Sequence, residues 1–183
     1  MMKKNCFCIL AFFFLCFNLF SQEAEYEKNV LDFNIQGIKL GTTIKEFKSN
    51  TKFTSEYYES ISEPNINQKV YVSEDIPNMD TCVFRFFEDK LYEVGILYDP
   101  STINKMGGWS AVLLKLVERY GQKFTLPSRK DDDAIFEGYM YFDNIKRTLY
   151  SKVESDCLII EMTDTGAYEK MQEKRRENMD FGF

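Results

Sequence analysis

Thr81–Asp99 reads TCVFRFFEDKLYEVGILYD, two apolar runs on either side of the acidic pair Glu88-Asp89. Runs rich in aromatic and β-branched residues, separated by two turn-forming residues, predict a β-hairpin with Glu88-Asp89 as its turn. A strand's side chains alternate between faces, so Cys82, Phe84 and Phe86 share one face of the first strand. By the same rule Tyr92, Val94, Ile96 and Tyr98 share a face of the second. Val83 and Phe87 stand on the other side of the first strand, so both sides of this hairpin are expected to be partly covered.

Upstream of the hairpin, Leu31, Phe33 and Ile35 alternate with polar residues and predict a strand, preceded by an extended acidic leader. Gly37–Phe47, GIKLGTTIKEF, then turns that strand into a helix. Thr43 and Glu46 have the spacing of a capping box, in which each side chain satisfies the other residue's backbone amide. Ile44 and Phe47 fall on one face of the short helix, which ends near Asn50. The stretch has neither the spacing nor the lysine of a phosphate-binding loop, so it reads as turn plus cap. QKVYVS, around Val70 and Val72, is a further strand. Downstream, Asp99-Pro100-Ser101 starts a helix that Gly107-Gly108 weakens. From Trp109 an apolar stripe of Val112, Leu113, Leu116, Val117 and Tyr120 defines a stronger helix, capped by Gly121. Three more strands follow in AIFEGYMYF, RTLYSKV and DCLIIEM. The C-terminal segment has only Tyr168 and Met171 as an apolar pair and then QEKRREN, which predicts a short helix with a solvated end. Helix then strands, twice over, predicts an α+β fold: an antiparallel sheet with helices packed on one face, built as two helix-then-meander units.

The N-terminus carries an address. Lys3 and Lys4 precede the apolar run Cys6–Phe20, and Ser21 precedes an acidic stretch. A basic start, a short apolar run and a small residue at its end describe a secretory signal peptide, cut between Ser21 and Gln22. The run is shorter than the 20 or so residues a spanning helix needs, and Asn18 interrupts it. No small residue precedes Cys6, Cys8 or Cys16, as a lipid anchor would require. The chain therefore divides into a signal peptide at 1–21, an acidic leader at 22–30, one α+β domain at 31–163 with halves at 37–98 and 101–163, and a charged C-terminal helix or tail at 164–183. The expected location is periplasmic or secreted, with no membrane span after cleavage.

Cleavage removes Lys3 and Lys4 from 23 basic residues and none of the 29 acidic ones, so the net charge moves from −6 to −8. That balance argues against nucleic acid, whose binding rests on lysine and arginine. Three of five cysteines leave with the leader. Cys82 lies on the apolar face and Cys157 beside Glu161 on the wetter one, which predicts two free thiols. The absence of histidine removes Ser-His-Asp and Cys-His catalysis and most zinc sites. Asp131-Asp132-Asp133 with Glu137 lacks the alternating ligands and turn glycine of a calcium loop and reads as a solvated loop. No cofactor, metal or catalytic set is assigned, and carboxylate pairs, such as Glu88 and Asp89, or a Ser-Lys pair are the enzymatic options left.

The pattern G-x-x-L-G-T-T-x-x-E-F, with FFEDKLYEVGILYD and LLKLVERYGQ after it, resembles small exported bacterial proteins of the beta-lactamase-inhibitor-like and outer-membrane-assembly-lipoprotein type. The resemblance spans Gly37 to Met162 and concerns architecture. It implies a domain that binds other proteins and has no catalytic residues to carry over; the lipidated cysteine of the lipoprotein members is missing. Tyrosines in the strands are the candidate contacts, Tyr139 and Tyr141 first, then Tyr92 and Tyr98, because tyrosine is enriched at binding surfaces. Tyr139 and Tyr141 alternate with Met140 and Phe142, so one pair is expected to face outward unless both sides of the sheet are covered. The expected function is an exported, non-catalytic protein-binding domain of the bacterial envelope, of inhibitor or assembly-accessory type. The alternative is an exported hydrolase or small-ligand binder using carboxylates. The partner's identity and the oligomeric state stay open.

Overall fold

The computed structural model describes residues 22–50, 57–59, 63–74, 76, 79–121, 123–127 and 133–179. The expected signal peptide at 1–21, with Ser21 at its end, lies outside them, as do Asp131 and Asp132.

Seven strands form one antiparallel sheet in the order β3-β4-β5-β6-β9-β8-β7. They are β3 (Tyr57–Glu59), β4 (Gln68–Ser73), β5 (Thr81–Phe87), β6 (Lys90–Tyr98), β7 (Ala134–Phe142), β8 (Arg147–Glu154) and β9 (Cys157–Asp164). Strands 3 to 6 make one meander and 7 to 9 a second, joined where β6 pairs with β9. Each is preceded by helix: α2 (Ile44–Ser49) for the first, α3 (Pro100–Lys105) and α4 (Trp109–Tyr120) for the second. The fold class is α+β, with these helices packed on one face.

Turn chemistry sets the register. Glu88 and Asp89 both have positive φ, 50° and 68°, and so do Ser155 and Asp156, 50° and 62°. Two successive left-handed residues match the twist of the strands they join. The capping box forms as the spacing predicts: Glu46 N–H donates to Thr43 Oγ1 at 3.2 Å, and Thr43 N–H donates to Glu46 Oε2 at 2.8 Å. Asp99 caps α3 by accepting from Thr102 N–H at 2.7 Å. The GIKLGTT backbone is tied to the hairpin turn, with Gly41 N–H donating to the Leu91 carbonyl and Leu91 N–H to that of Thr42.

The core lies between the sheet and α2 to α4. One row of paired residues crosses six strands on this face: Tyr71, Phe84, Val94, Met162, Leu149 and Met140. Phe47 of α2 seats on it with ring centroids 5.4, 5.0 and 5.3 Å from Tyr71, Phe84 and Phe86. Val112, Leu113 and Tyr120 of α4 close the other half.

Three expectations are corrected. Residues 22–31 are helical (α1), not extended, and Leu31 ends that helix; the strand expected over 31–35 shrinks to β1 (Asn34–Ile35), which pairs with β2 (Ile38–Lys39). Gln22–Val30 is rich in good helix formers with glutamates early, which favours a helix end over a strand. Tyr26 of α1 fills the space beside Gly121, where φ is +68° and a Cβ would fall inside the tyrosine ring. Second, the C-terminal segment is a full fifteen-residue helix, α5 (Thr165–Met179), and its charged end is docked. Met171 packs with Ile66, Phe87 and Tyr92 in a second, smaller cluster. Third, α5 lies over the face of the sheet that α2 to α4 leave open, as the residues lining the groove described below show.

Candidate functional site

Strand register writes the open face as two rows. Reading from β4 to β7, one row is Val70, Arg85, Glu93, Thr163, Thr148 and Tyr141. The next is Val72, Val83, Gly95, Glu161, Tyr150 and Tyr139. The face therefore grades from aliphatic, through a charged centre, to aromatic at the β7 edge. Gly95 leaves the middle of its row without a side chain.

Helix α5 turns this surface into a groove. One part, about 410 Å³, runs between Tyr139, Tyr141 and Tyr150 on the sheet and Tyr168 on the helix, with Glu93 and Glu161 at its base. A second part, about 550 Å³, continues past Arg85 and Val83 toward Glu63 and Arg175. Glu93, Glu161 and Tyr168 line both, so the two are one groove. Its volume is in the range of ordinary ligand and side-chain clefts.

The aromatic wall is ordered by stacking. Tyr139 and Tyr141 are near-parallel, 5.9 Å apart and 13° in angle, and Tyr150 lies 4.8 Å from Tyr139. Tyr150 donates its hydroxyl to Glu137 Oε1 at 3.1 Å. Burial and that carboxylate hold the Tyr150 phenol above its ordinary value, and burial followed by Glu137 raises that of Tyr139. Both are neutral hydroxyls at physiological pH. Tyr141 and Tyr168 are 46 % and 40 % exposed, two of six large apolar side chains so exposed among the described residues, and both meet at this groove.

The charged centre is a triad. Arg85 ion-pairs with Glu93 and lies 3.6 Å from Glu161. Burial pushes the Glu93 carboxyl above the usual range, and Arg85 pulls it back only in part. The two glutamates together keep Arg85 charged against its own burial.

The four tyrosines expected to make contacts part company here. Tyr139 and Tyr141 face the groove, with Met140 and Phe142 in the core. Tyr92 is 2 % exposed and Tyr98 8 %, so neither presents a surface. Nor do they share a face: the register slips between Arg85 and Phe86, where Arg85 pairs with Glu93 and Phe86 with Leu91. Tyr92 is the extra residue of that β-bulge, and a bulge breaks simple alternation. It points under α5 and accepts from Gln68 Nε2 at 2.7 Å, while Tyr98 is in the main core. Gln22, the expected first residue after cleavage, is the first described residue of α1.

Tyr168, Glu93 and Glu161 are the site residues that sequence reasoning missed as a set. Tyr150 and Glu161 are adjacent in register, and the Tyr168/Met171 pair on α5 was the visible sign that this helix rests on something. Cys82 is buried and Cys157 half-buried, and both are free thiols. Burial pushes the Cys82 thiol up to about 12. Among the described residues no group of three histidines, cysteines or acids gathers as a metal site, and no helix is long and apolar enough to cross a membrane. No protein-family model, curated protein or solved structure matches the chain.

Proposed function

We propose that the protein is an exported, non-catalytic binding domain that engages another envelope or secreted protein through the groove between its open sheet face and α5. The observation that carries this reading is the stacked tyrosine wall Tyr139–Tyr141–Tyr150, facing Tyr168 across a cleft. Rigid aromatic side chains with a polar tip supply large contact area at little entropic cost, the property that makes tyrosine an interface anchor. The signal-like N-terminus supports export, and the helix-then-meander architecture supports kinship with the exported inhibitor-like and assembly-accessory proteins. Fold kinship alone does not assign a role, so the groove bears the weight.

A second reading, a carboxylate-based hydrolase or small-ligand binder, has one observation in its favour: Glu93 and Glu161 share the groove and Glu93 is held toward its neutral form. Arg85 pairs with both, however, and a charge-balanced triad is what a structural ion network also makes.

The test is a crosslinking pull-down with the chain from Gln22 to Phe183 against the envelope fraction of its own cells. The expected result is one saturable protein partner, lost with Tyr139→Ala/Tyr141→Ala while the fold, followed by circular dichroism, is kept. Undiminished capture by that variant would show that the groove is not the interface.

A further inference from the structure

The aromatic part of the groove is lined by two carboxylates and by no lysine or arginine. Arg85 sits at the border with the other part and is shared between Glu93 and Glu161, while Lys152, beyond Tyr150 on β8, is paired with Glu154. One guanidinium serves two carboxyl groups, so with both ionised the floor carries one negative charge in excess, and the side chain of Glu93 is only 10 % exposed. Such a charge is costly to desolvate under a neutral partner and gains from a cation brought to it. The walls suit the same visitor. Tyrosine faces attract a cation by about 0.5–1 kcal/mol at exposed sites and more when water is excluded. Tyr139 and Tyr150 stand on one side of Glu161 and Tyr168 comes from the helix above.

Resting on the binding role above, we propose that the groove receives a lysine or arginine side chain from a basic segment of the partner protein, the cation seated over Glu161 between the tyrosine wall and Tyr168. The partner's stem methylenes lie against the rings, and its charge completes the balance that Arg85 leaves unfinished. The whole chain's net charge of −6 adds attraction at longer range, so association is faster at low salt.

The experiment uses the protein expressed from its full sequence with tyrosine rings isotope-labelled for NMR. The probes are four short blocked glycine peptides bearing a central lysine, arginine, norleucine or glutamate. Lysine and arginine peptides are expected to shift the Tyr139, Tyr141 and Tyr168 ring signals saturably, and added salt to weaken them. Glu161→Gln, which keeps size and hydrogen bonding, is expected to weaken both by about tenfold, equivalent to about 1.4 kcal/mol. The inference is overturned if norleucine binds as tightly as lysine, if Glu161→Gln leaves lysine binding unchanged, or if none of the four peptides shifts the rings. Those outcomes leave the binding role standing as long as Tyr139→Ala/Tyr141→Ala still loses the captured partner. If that variant keeps the partner, the binding role itself fails.

Discussion

Replacing Met171 by alanine should release α5 from the sheet while leaving the sheet folded. Helix α5 has fifteen residues, seven of them charged, and a helix of that length is marginal in water on its own. What holds it is a small cluster under its middle, where Met171 is 1 % exposed against Ile66, Phe87 and Tyr92. Its polar ties range from half-buried to exposed: Arg175 Nε to Glu63 Oε2 at 3.2 Å, Arg175 to Gln68 Oε1 at 3.3 Å, Asn178 Nδ2 to the Asn65 carbonyl at 3.0 Å, and Lys174 to Glu88 at 3.5 Å. Exposed pairs of this kind contribute about 0–1 kcal/mol each. Truncating a buried methionine to alanine costs about 2–5 kcal/mol, and a site under one helix can settle, so the lower half applies. A loss of about 2–3 kcal/mol raises the opening constant of the helix roughly 30- to 150-fold. Native-state hydrogen exchange reads this directly: amides in α5 should speed up by that factor, while those of β6 and β9 in the main core stay at wild-type rates. Unchanged α5 amides would mean that the polar ties hold the helix. Equal acceleration in β6 and β9 would mean that the two clusters are one cooperative unit, and the separation argued here would be wrong. Because Tyr168 leaves with the helix, partner binding should weaken in parallel.

Ser151 offers a prediction of opposite sign. Its hydroxyl is fully buried on the core side of β8, between Gly138 and Ile160 in register, with no hydrogen-bond partner among the described residues. Ser151→Ala removes the desolvation cost and should stabilise the protein by about 1 kcal/mol, seen as a higher urea midpoint at unchanged slope; a lower midpoint would reveal a partner for the hydroxyl. The helix caps predict an acid dependence. Thr43's backbone amide holds Glu46 below its ordinary value of 4.5, and Thr102's holds Asp99 below 3.8. A depressed folded-state pKa means that the stabilisation is present above those ordinary values and is lost as pH falls through the lower folded ones. The stability gap between wild type and Glu46→Gln should therefore shrink as pH drops from 4.5, and a gap independent of pH would refute the charged cap.

The elements that could be read from the residues were those whose signals are local. The Glu88-Asp89 turn, the Thr43/Glu46 box, the Asp99 cap, the Gly107-Gly108 break and the Gly121 stop each depend on a few neighbouring side chains, and each stands where the pattern put it. The N-terminal helix was misread because Leu31, Phe33 and Ile35 mimic a strand across a boundary. Only Ile35 belongs to one, and the residue of that region buried by α1 is Val30, outside the alternating set. The docking of α5 was misread for the reverse reason. A helix with one apolar pair per fifteen residues looks solvated until a matching hollow is known, and that hollow is made by Phe87 and Tyr92 from the hairpin and Ile66 from the turn before β4.

The groove depends on pairings between distant strands, and there one residue of register decides everything. Alternation on β7 placed Tyr139 and Tyr141 outward correctly, because Met140 and Phe142 had to fill the core. On β6 the same rule put Tyr92 and Tyr98 together, and the extra residue at the bulge undid it. That insertion does more than relocate a tyrosine. Were Tyr92 paired in the ladder instead of bulged, Glu93 would fall on the same face as Leu91, among the buried side chains of the main core, where an unpaired carboxylate is expensive. With the bulge, Glu93 meets Arg85 on the open face and Tyr92 becomes the floor for Met171. The bulge thus supplies both the charged base of the groove and the seat of the helix that walls it. Deleting Tyr92 should therefore release α5 while the Arg85–Glu93 pair stays, because Leu91 and Glu93 then follow each other opposite Phe86 and Arg85; loss of the ion pair together with the helix would refute this reading of the bulge.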